Sequence, residues 1–128
     1  AVSYAHADAA SVLRWAADLE LADGEPAASA SLRPPELALL DAMSWLPERV
    51  AAAARRRRPA ELAAHLEFLA RTWLDCRESC PALPFQGRAA PGPPDAGHTA
   101  ARLGLADAAR VALACGLGLL GIAAPERV

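Results

Sequence analysis

The chain contains no lysine. All 13 basic side chains are arginine, set against 15 acidic ones, and the formal net charge is −2. That balance excludes a globally basic nucleic-acid binder. Any affinity for RNA must come from a local patch, and long-range steering is weak. Aromatics are scarce too: three Trp, two Phe and one Tyr in 128 residues, although 54% of the chain is hydrophobic. Alanine makes up the difference, so the core must come from close helix packing rather than aromatic bulk. The cysteines Cys76, Cys80 and Cys115 are odd in number and show no repeated pair spacing. They fit reduced thiols in a cytosolic protein better than a disulfide framework. The N-terminus has no basic region followed by an apolar stretch, so no secretory signal is visible. The most apolar segment, Leu113 to Ile122, is too short to span a bilayer and is broken by Gly116, Gly118 and Gly121. No Ser-His-Asp set, carboxylate pair, phosphate loop or strand–glycine–helix unit stands out.

What is present reads as an all-α chain: a single domain over residues 1–128, a bundle of about five helices and no convincing strand. The first helix is expected from about Ser3 to Leu21, with Ala5, Ala9, Val12, Ala16 and Leu19 on one apolar face. A loop over about 23–33 follows, marked by Gly, Pro and small residues. Paired prolines at Pro34 and Pro35 open the second helix, which ends before Pro47. The third, "PERVAAAARRRR", has an acid at its positive end and arginines at its negative end. Pro59 opens the fourth, which runs to Cys80. There Leu62, Leu66, Leu69, Trp73, Cys76 and Cys80 form a narrow apolar seam. His65 lies just to one side of it and Arg77 to the other. A second loop is expected over about 82–98, then a last helix from about Ala100 to Leu120. That helix is apolar on several sides, which predicts a central position.

The run Arg55, Arg56, Arg57, Arg58 could grip phosphates, or it could be a solvated helix end. Four consecutive helical residues cannot share one face, so sequence reading by the run is not expected. Cys76 and Cys80 have a spacing that can hold two metal ligands, but no nearby His or Cys completes a set. They read as buried thiols, and no metal is expected. Trp73 lies in the middle of the seam and reads as core.

Three segments carry a family resemblance. "RLGLADAARVALACGLGLLGIAAPERV", Arg102 to Val128, is similar to the C-terminal end of arginyl-tRNA synthetases. Those typically carry an Arg-Leu pair, a later arginine, Gly-Leu, Leu-Leu-Gly and a final Pro-Glu-Arg-Met; here Val128 replaces Met. "PAELAAHLEFLARTWLDCRESCPAL" resembles the family's long anticodon-domain helix, and "AVSYAHADAASVLRWA" its Tyr-Ala-His-Ala segment. The match runs in order over nearly the whole chain and implies the all-helical DALR anticodon-binding domain. The implied partner is the anticodon stem-loop of an arginine tRNA, with no DNA and no membrane, in the cytoplasm. The chain starts inside a family motif and without Met, so a synthetase-like catalytic domain is expected upstream. Catalysis is not expected of these residues alone. The class I His-rich and Lys-containing signatures are missing, so no cofactor is expected here; ATP and Mg would serve only a preceding catalytic domain.

The departures bear on the mode of binding. The resemblance places Tyr at the positions of His65 and Glu67, His at Leu74, Phe at Cys76, Tyr at Arg77 and Arg at Asp8. Unpaired bases are read largely by stacking on aromatics, so several stacking groups are replaced. The candidate tRNA contacts are His65, Arg71, Arg77, Arg102, Arg110, Arg127 and Val128, with Arg55–Arg58 as phosphate contacts. His65 reads as fairly exposed and able to donate to a base edge. Arg77 could stack on a base, hold a phosphate, or pair on the surface with Asp75 or Glu78. Arg110 also reads as a partly buried arginine paired with an acid. Arg102, Arg127 and Val128 are carried by the resemblance, which also ends at this position. Tyr4 and His6 are expected to pack at the start of the first helix. The alternative reading is a synthetase-derived domain that has lost standard anticodon reading and acts as a protein-interaction or regulatory module.

Overall fold

Prolines set the starts of three helices. A computed structural model describes residues 2–18, 32–79 and 96–124, with backbone alone for 96–100. The elements are α1 (Val2–Asp18), α2 (Pro34–Ser44), α3 (Leu46–Arg56), α4 (Pro59–Ser79) and α5 (Ala96–Leu119), and no described residue lies in a strand. Pro34 and Pro35 fill positions whose N–H groups have no helical partner. Glu36 turns back so that its carboxylate accepts the Arg33 N–H at 3.0 Å, satisfying a donor at the helix entry.

Only Trp45 separates α2 from α3. Pro47 has no N–H for the Met43 carbonyl, which accepts from Trp45 instead. The helical ladder resumes at once, through Trp45 N–H to the Asp41 carbonyl at 3.3 Å and Arg49 N–H to the Trp45 carbonyl at 3.0 Å. Counted by that continuity the bundle has four helices, one of them interrupted, rather than about five.

The four arginines contain the end of α3. Arg57 takes a left-handed conformation, φ 55° and ψ 43°. Its N–H reaches the Ala54 carbonyl at 3.2 Å, and the Arg58 N–H reaches the Ala53 carbonyl at 2.9 Å. The same pair of bonds closes α5, from Gly121 to Gly118 at 3.0 Å and from Ile122 to Leu117 at 2.9 Å. There the left-handed residue is Gly121, φ 78°, the usual choice for this turn. At the end of α3 an arginine does the same job against the steric cost of its Cβ.

α5 begins at Ala96, inside the expected 82–98 loop and ahead of Ala100. One glycine, Gly97, costs a helix only about 1 kcal/mol, too little to stop a long apolar helix from extending through it. The rest of that loop, residues 19–31 and Cys80 lie outside the described residues.

The core is built mainly from alanine and leucine. Ala5, Ala9, Val12 and Ala16 of α1 are buried with Leu39 and Ala42 of α2, and with Leu103, Ala106, Ala109 and Leu113 of α5. Leu69, Ala70, Trp73 and Cys76 complete the cluster from α4. A smaller cluster of Ala53, Leu62 and Leu66 sits under α3. The helix that packs against all four others is α4, not the last helix as expected. The surplus apolar character of α5 instead leaves Val111, Leu119 and Ile122 near its C-terminal end exposed. Where α4 meets α5, Gly116 faces Leu66. A Cβ on Gly116 would overlap the Leu66 methyls and lie 3.1 Å from its Cγ, and Leu66 is fully buried.

His65 is buried, contrary to the exposure expected of it. The gap between α2 and α4 takes it in, because its Nε2 lies 3.0 Å from the Ala42 carbonyl oxygen, and a protonated Nε2 donates there. Burial depresses its pKa below 6.5; the Ala42 bond opposes this and the Arg49 charge adds to it.

These contacts fix the sign of several stability changes. A Cβ added to Gly104 would meet open space, so Gly104→Ala is expected to raise the unfolding free energy by about 0.5–1 kcal/mol. Gly116→Ala is expected to lower it by about 1 kcal/mol, since overpacking against Leu66 outweighs helix propensity. Urea denaturation of the two variants reads the opposite signs. Relief of the left-handed strain in Arg57→Gly should add about 1 kcal/mol in the same assay. For His65 the folded pKa lies below the unfolded one, so on acidification the unfolded state takes up the proton first. Stability is therefore expected to fall as pH drops through 6.5 toward the folded value. Urea midpoints at neutral and mildly acidic pH should show a slope in the parent chain that His65→Gln diminishes.

Candidate nucleic-acid interface

A single carboxylate organises the edge between α1 and α4. The Asp8 side chain is only 9% exposed, and a buried charge is costly unless it is paired and hydrogen-bonded. Two donors on α4 meet that need. Trp73 donates its indole N–H to Asp8 Oδ2 at 3.1 Å, and Arg77 Nε lies 3.0 Å from the same oxygen. Trp73 and Arg77 are one helical turn apart, so both face α1. Trp73 is in the core as expected, with its polar edge turned to Asp8.

Arg77 pairs with Asp8, not with Asp75 or Glu78, both of which are exposed. Its side chain remains 39% exposed. The ion pair thus pins Arg77 at its Nε while more than a third of the side chain still meets solvent. A pinned fork loses less freedom on gripping a phosphate or stacking on a base than a free surface arginine does. Tyr4 and Trp15 lie on the same side of α1 as Asp8, and both are more than half exposed. Of the two residues expected to pack at the start of α1, His6 does so, whereas Tyr4 presents its ring to solvent. Beyond Arg77, the Arg33 Nη1 donates to the Ser79 carbonyl oxygen at 3.3 Å, which places a second guanidinium at the last turn of α4.

The other sequence candidates are dispersed. Arg102 Nε lies 3.8 Å from Glu36, whose side chain is 3% exposed. That contact holds α5 against the start of α2. Arg110 pairs with Asp107 one turn earlier at 2.8 Å, the acid-paired arrangement weighed for it. Arg71 is exposed on α4. Arg55 to Arg58 are all exposed at the α3–α4 turn, and Arg56 meets Glu61 at 3.4 Å. His65 is turned inward to Ala42, away from any base edge. Arg127 and Val128 lie outside the described residues. Among the described residues no group of three or more His, Cys, Asp or Glu could hold a metal ion, and no helix is long and apolar enough to cross a membrane.

Sequence reasoning missed the Asp8–Trp73–Arg77 arrangement, although its signal was present. Two departures from the family pattern, an acid at position 8 and an arginine at position 77, are opposite in sign and compensate each other across α1 and α4. It also missed Trp45 and Phe68, exposed aromatics that belong to no apolar seam.

The comparisons with known proteins agree with this architecture. The family described as the DALR anticodon binding domain matches residues 2–128. The chain is 43% identical over 129 residues to an arginine–tRNA ligase of Frankia alni, covering 99% of this chain and 22% of that protein. To the arginine–tRNA ligase of Renibacterium salmoninarum it is 39% identical, again over 99% of this chain and 22% of the relative. Among solved structures, Thermus thermophilus arginyl-tRNA synthetase superposes with a TM-score of 0.73 at 36% identity, covering 99% of this chain and 20% of that one. The chain thus spans about a fifth of the length of these relatives. With a match to all but its first residue, a shared helical fold and this level of identity, the chain belongs to the DALR anticodon binding domain family.

Proposed function

We propose that this chain binds the anticodon stem-loop of an arginine tRNA and serves as the recognition part of a larger arginine–tRNA ligase acting in the cytoplasm. The observation that carries this reading is Arg77, fixed by a buried carboxylate yet 39% exposed, between helices that also present Tyr4 and Trp15. A loop of unpaired nucleotides offers bases to stack on aromatic or guanidinium planes and phosphates to pair with the fork. Arg71 and Arg55 to Arg58 would add contacts to phosphate that do not depend on sequence. Arg127 and Val128 remain further contacts of the same reading. Arg102 and Arg110, already engaged with Glu36 and Asp107, have less left to offer. ATP and Mg²⁺ belong to the catalytic body of such a ligase, and no residue here is assigned to them.

Arg77→Ala is expected to weaken binding of an arginine tRNA transcript about tenfold or more, the range for a lost charge-assisted hydrogen bond. Filter binding at low and moderate salt measures it. The variant should stay folded, losing about 1–3 kcal/mol, because Asp8 loses its charged partner but Trp73 still donates to it. Unchanged tRNA affinity in the folded variant, or equal affinity of the parent chain for arginine and non-cognate tRNAs, would overturn anticodon reading through this face.

A further inference from the structure

Four of the six aromatic side chains, Tyr4, Trp15, Trp45 and Phe68, are half-exposed in this bundle. Tyr4 and Trp15 belong to the interface already described. Trp45 and Phe68 do not: Phe68 lies on the side of α4 opposite Arg77, nine residues and about two and a half helical turns away.

Both rings connect to one buried histidine through short chains of contacts. The break before Pro47 turns Trp45 outward at the α2–α3 junction, where its side chain is 45% exposed. One turn later Arg49 lays its guanidinium 5.6 Å from the centre of the indole. On α4, Phe68 is 50% exposed, and its ring centre lies 6.2 Å from that of His65, tilted by 34°. His65 is fastened to the Ala42 carbonyl, three residues before Trp45, and Arg49 is close enough for its charge to lower the His65 pKa. The buried histidine thus ties the Phe68 flank to the Trp45–Arg49 flank.

From these observations we infer that Trp45, Arg49 and Phe68 form a second, separate platform for single-stranded RNA, with an unpaired base stacking on an aromatic face and Arg49 meeting its phosphate. Every base has a π-face, so such a platform is tolerant of sequence. Charge favours this occupant over an apolar protein surface. α3 carries Arg49, Arg55 and Arg56 against one acid, Glu48, and Arg57 and Arg58 follow, in a chain whose net charge is −2. Arg49 and Arg56 lie two turns apart on one side of α3; Arg56 is paired with Glu61, which leaves Arg49 as the cation beside the indole. Asp41 and Glu48 are exposed on the neighbouring turns, and Glu67 is exposed next to Phe68. An aromatic pair with a cation over one ring is the arrangement that stacked bases use. The inference takes from the function proposed above only the class of partner, RNA, and neither Arg77 nor anticodon reading enters it.

The test uses two probes, an arginine tRNA transcript and the single-stranded hexamer of adenylate, with four variants. Trp45→Ala and Phe68→Leu are expected to weaken hexamer binding about 5- to 100-fold each, the stacking range per base. Phe68→Leu keeps apolar bulk and loses only the π-face. Arg49→Ala should lower the slope of log affinity against log salt by about 0.7, one phosphate on a single strand. Val111→Ala, an exposed residue of α5, should leave hexamer binding within about twofold, since it belongs to neither face. Thermal melts confirm that each variant is folded. If the parent chain fails to bind the hexamer at low salt, or if the folded Trp45 and Phe68 variants bind it like the parent, the platform is overturned. The anticodon reading then stands or falls separately on tRNA binding and its Arg77 dependence. Concentration-dependent self-association that Trp45→Ala abolishes and Phe68→Leu preserves, with no loss of hexamer affinity, would assign the surface to a second copy of this chain and also overturn the inference.

Discussion

Close approach of the helices is the constraint on which the rest of this structure depends. The main cluster sets alanines of α1 against alanines and leucines of α5, and the largest fully buried side chains are leucines, Leu39, Leu66, Leu69 and Leu113. Small side chains bring backbones near, and Gly116 against Leu66 takes this furthest, leaving no room for even a methyl group. A core packed at interior density has few gaps to fill, so bulky rings have little place in it. Trp73 is the one Trp, Tyr or Phe ring found buried among the described residues, and it lies where its N–H can reach Asp8. The other four described rings, Tyr4, Trp15, Trp45 and Phe68, stand at the surface, where broad rigid rings can meet a partner.

Electrostatics follows the same economy. Three buried polar groups each join helices: Asp8 links α1 to α4, Glu36 links α2 to α5, and His65 links α4 to α2. Each has a partner from another helix, as burial requires. The Asp8–Arg77 pair is the clearest functional consequence. The resemblance places an arginine at position 8 and a tyrosine at position 77. Here the charge has crossed from α1 to α4, and a guanidinium stands where a ring is expected. Cation and ring can both lie against a base, so the exchange keeps at this position a group of the kind that the proposed binding requires.

Much of the fold was legible beforehand because local rules agree with each other here. Prolines at Pro34, Pro35, Pro47 and Pro59 mark helix starts, and the seam of Leu62, Leu66, Leu69, Trp73 and Cys76 is buried as its spacing predicts. The misses share a cause. His65, Tyr4 and the start of α5 were judged from their place on a helix wheel or beside a glycine. Their state depends on what the neighbouring helix supplies: a free carbonyl at Ala42 for His65, no covering helix for Tyr4, and a long apolar continuation for Gly97. The site was less legible than the fold. An ion pair between residues 8 and 77, or the exposure of rings at Trp45 and Phe68, has no periodicity along the chain.

The sequence by itself determined the helical class, the positions of the breaks, the alanine-rich packing mode and the family, because each is written in short-range spacing or in motifs kept in order. Only the tertiary structure decided which arginine is pinned and still exposed, which of His65's neighbours bury it, and which aromatics are left exposed. Those properties depend on distances across the bundle, and such distances exist only once α4 has packed against the four elements around it.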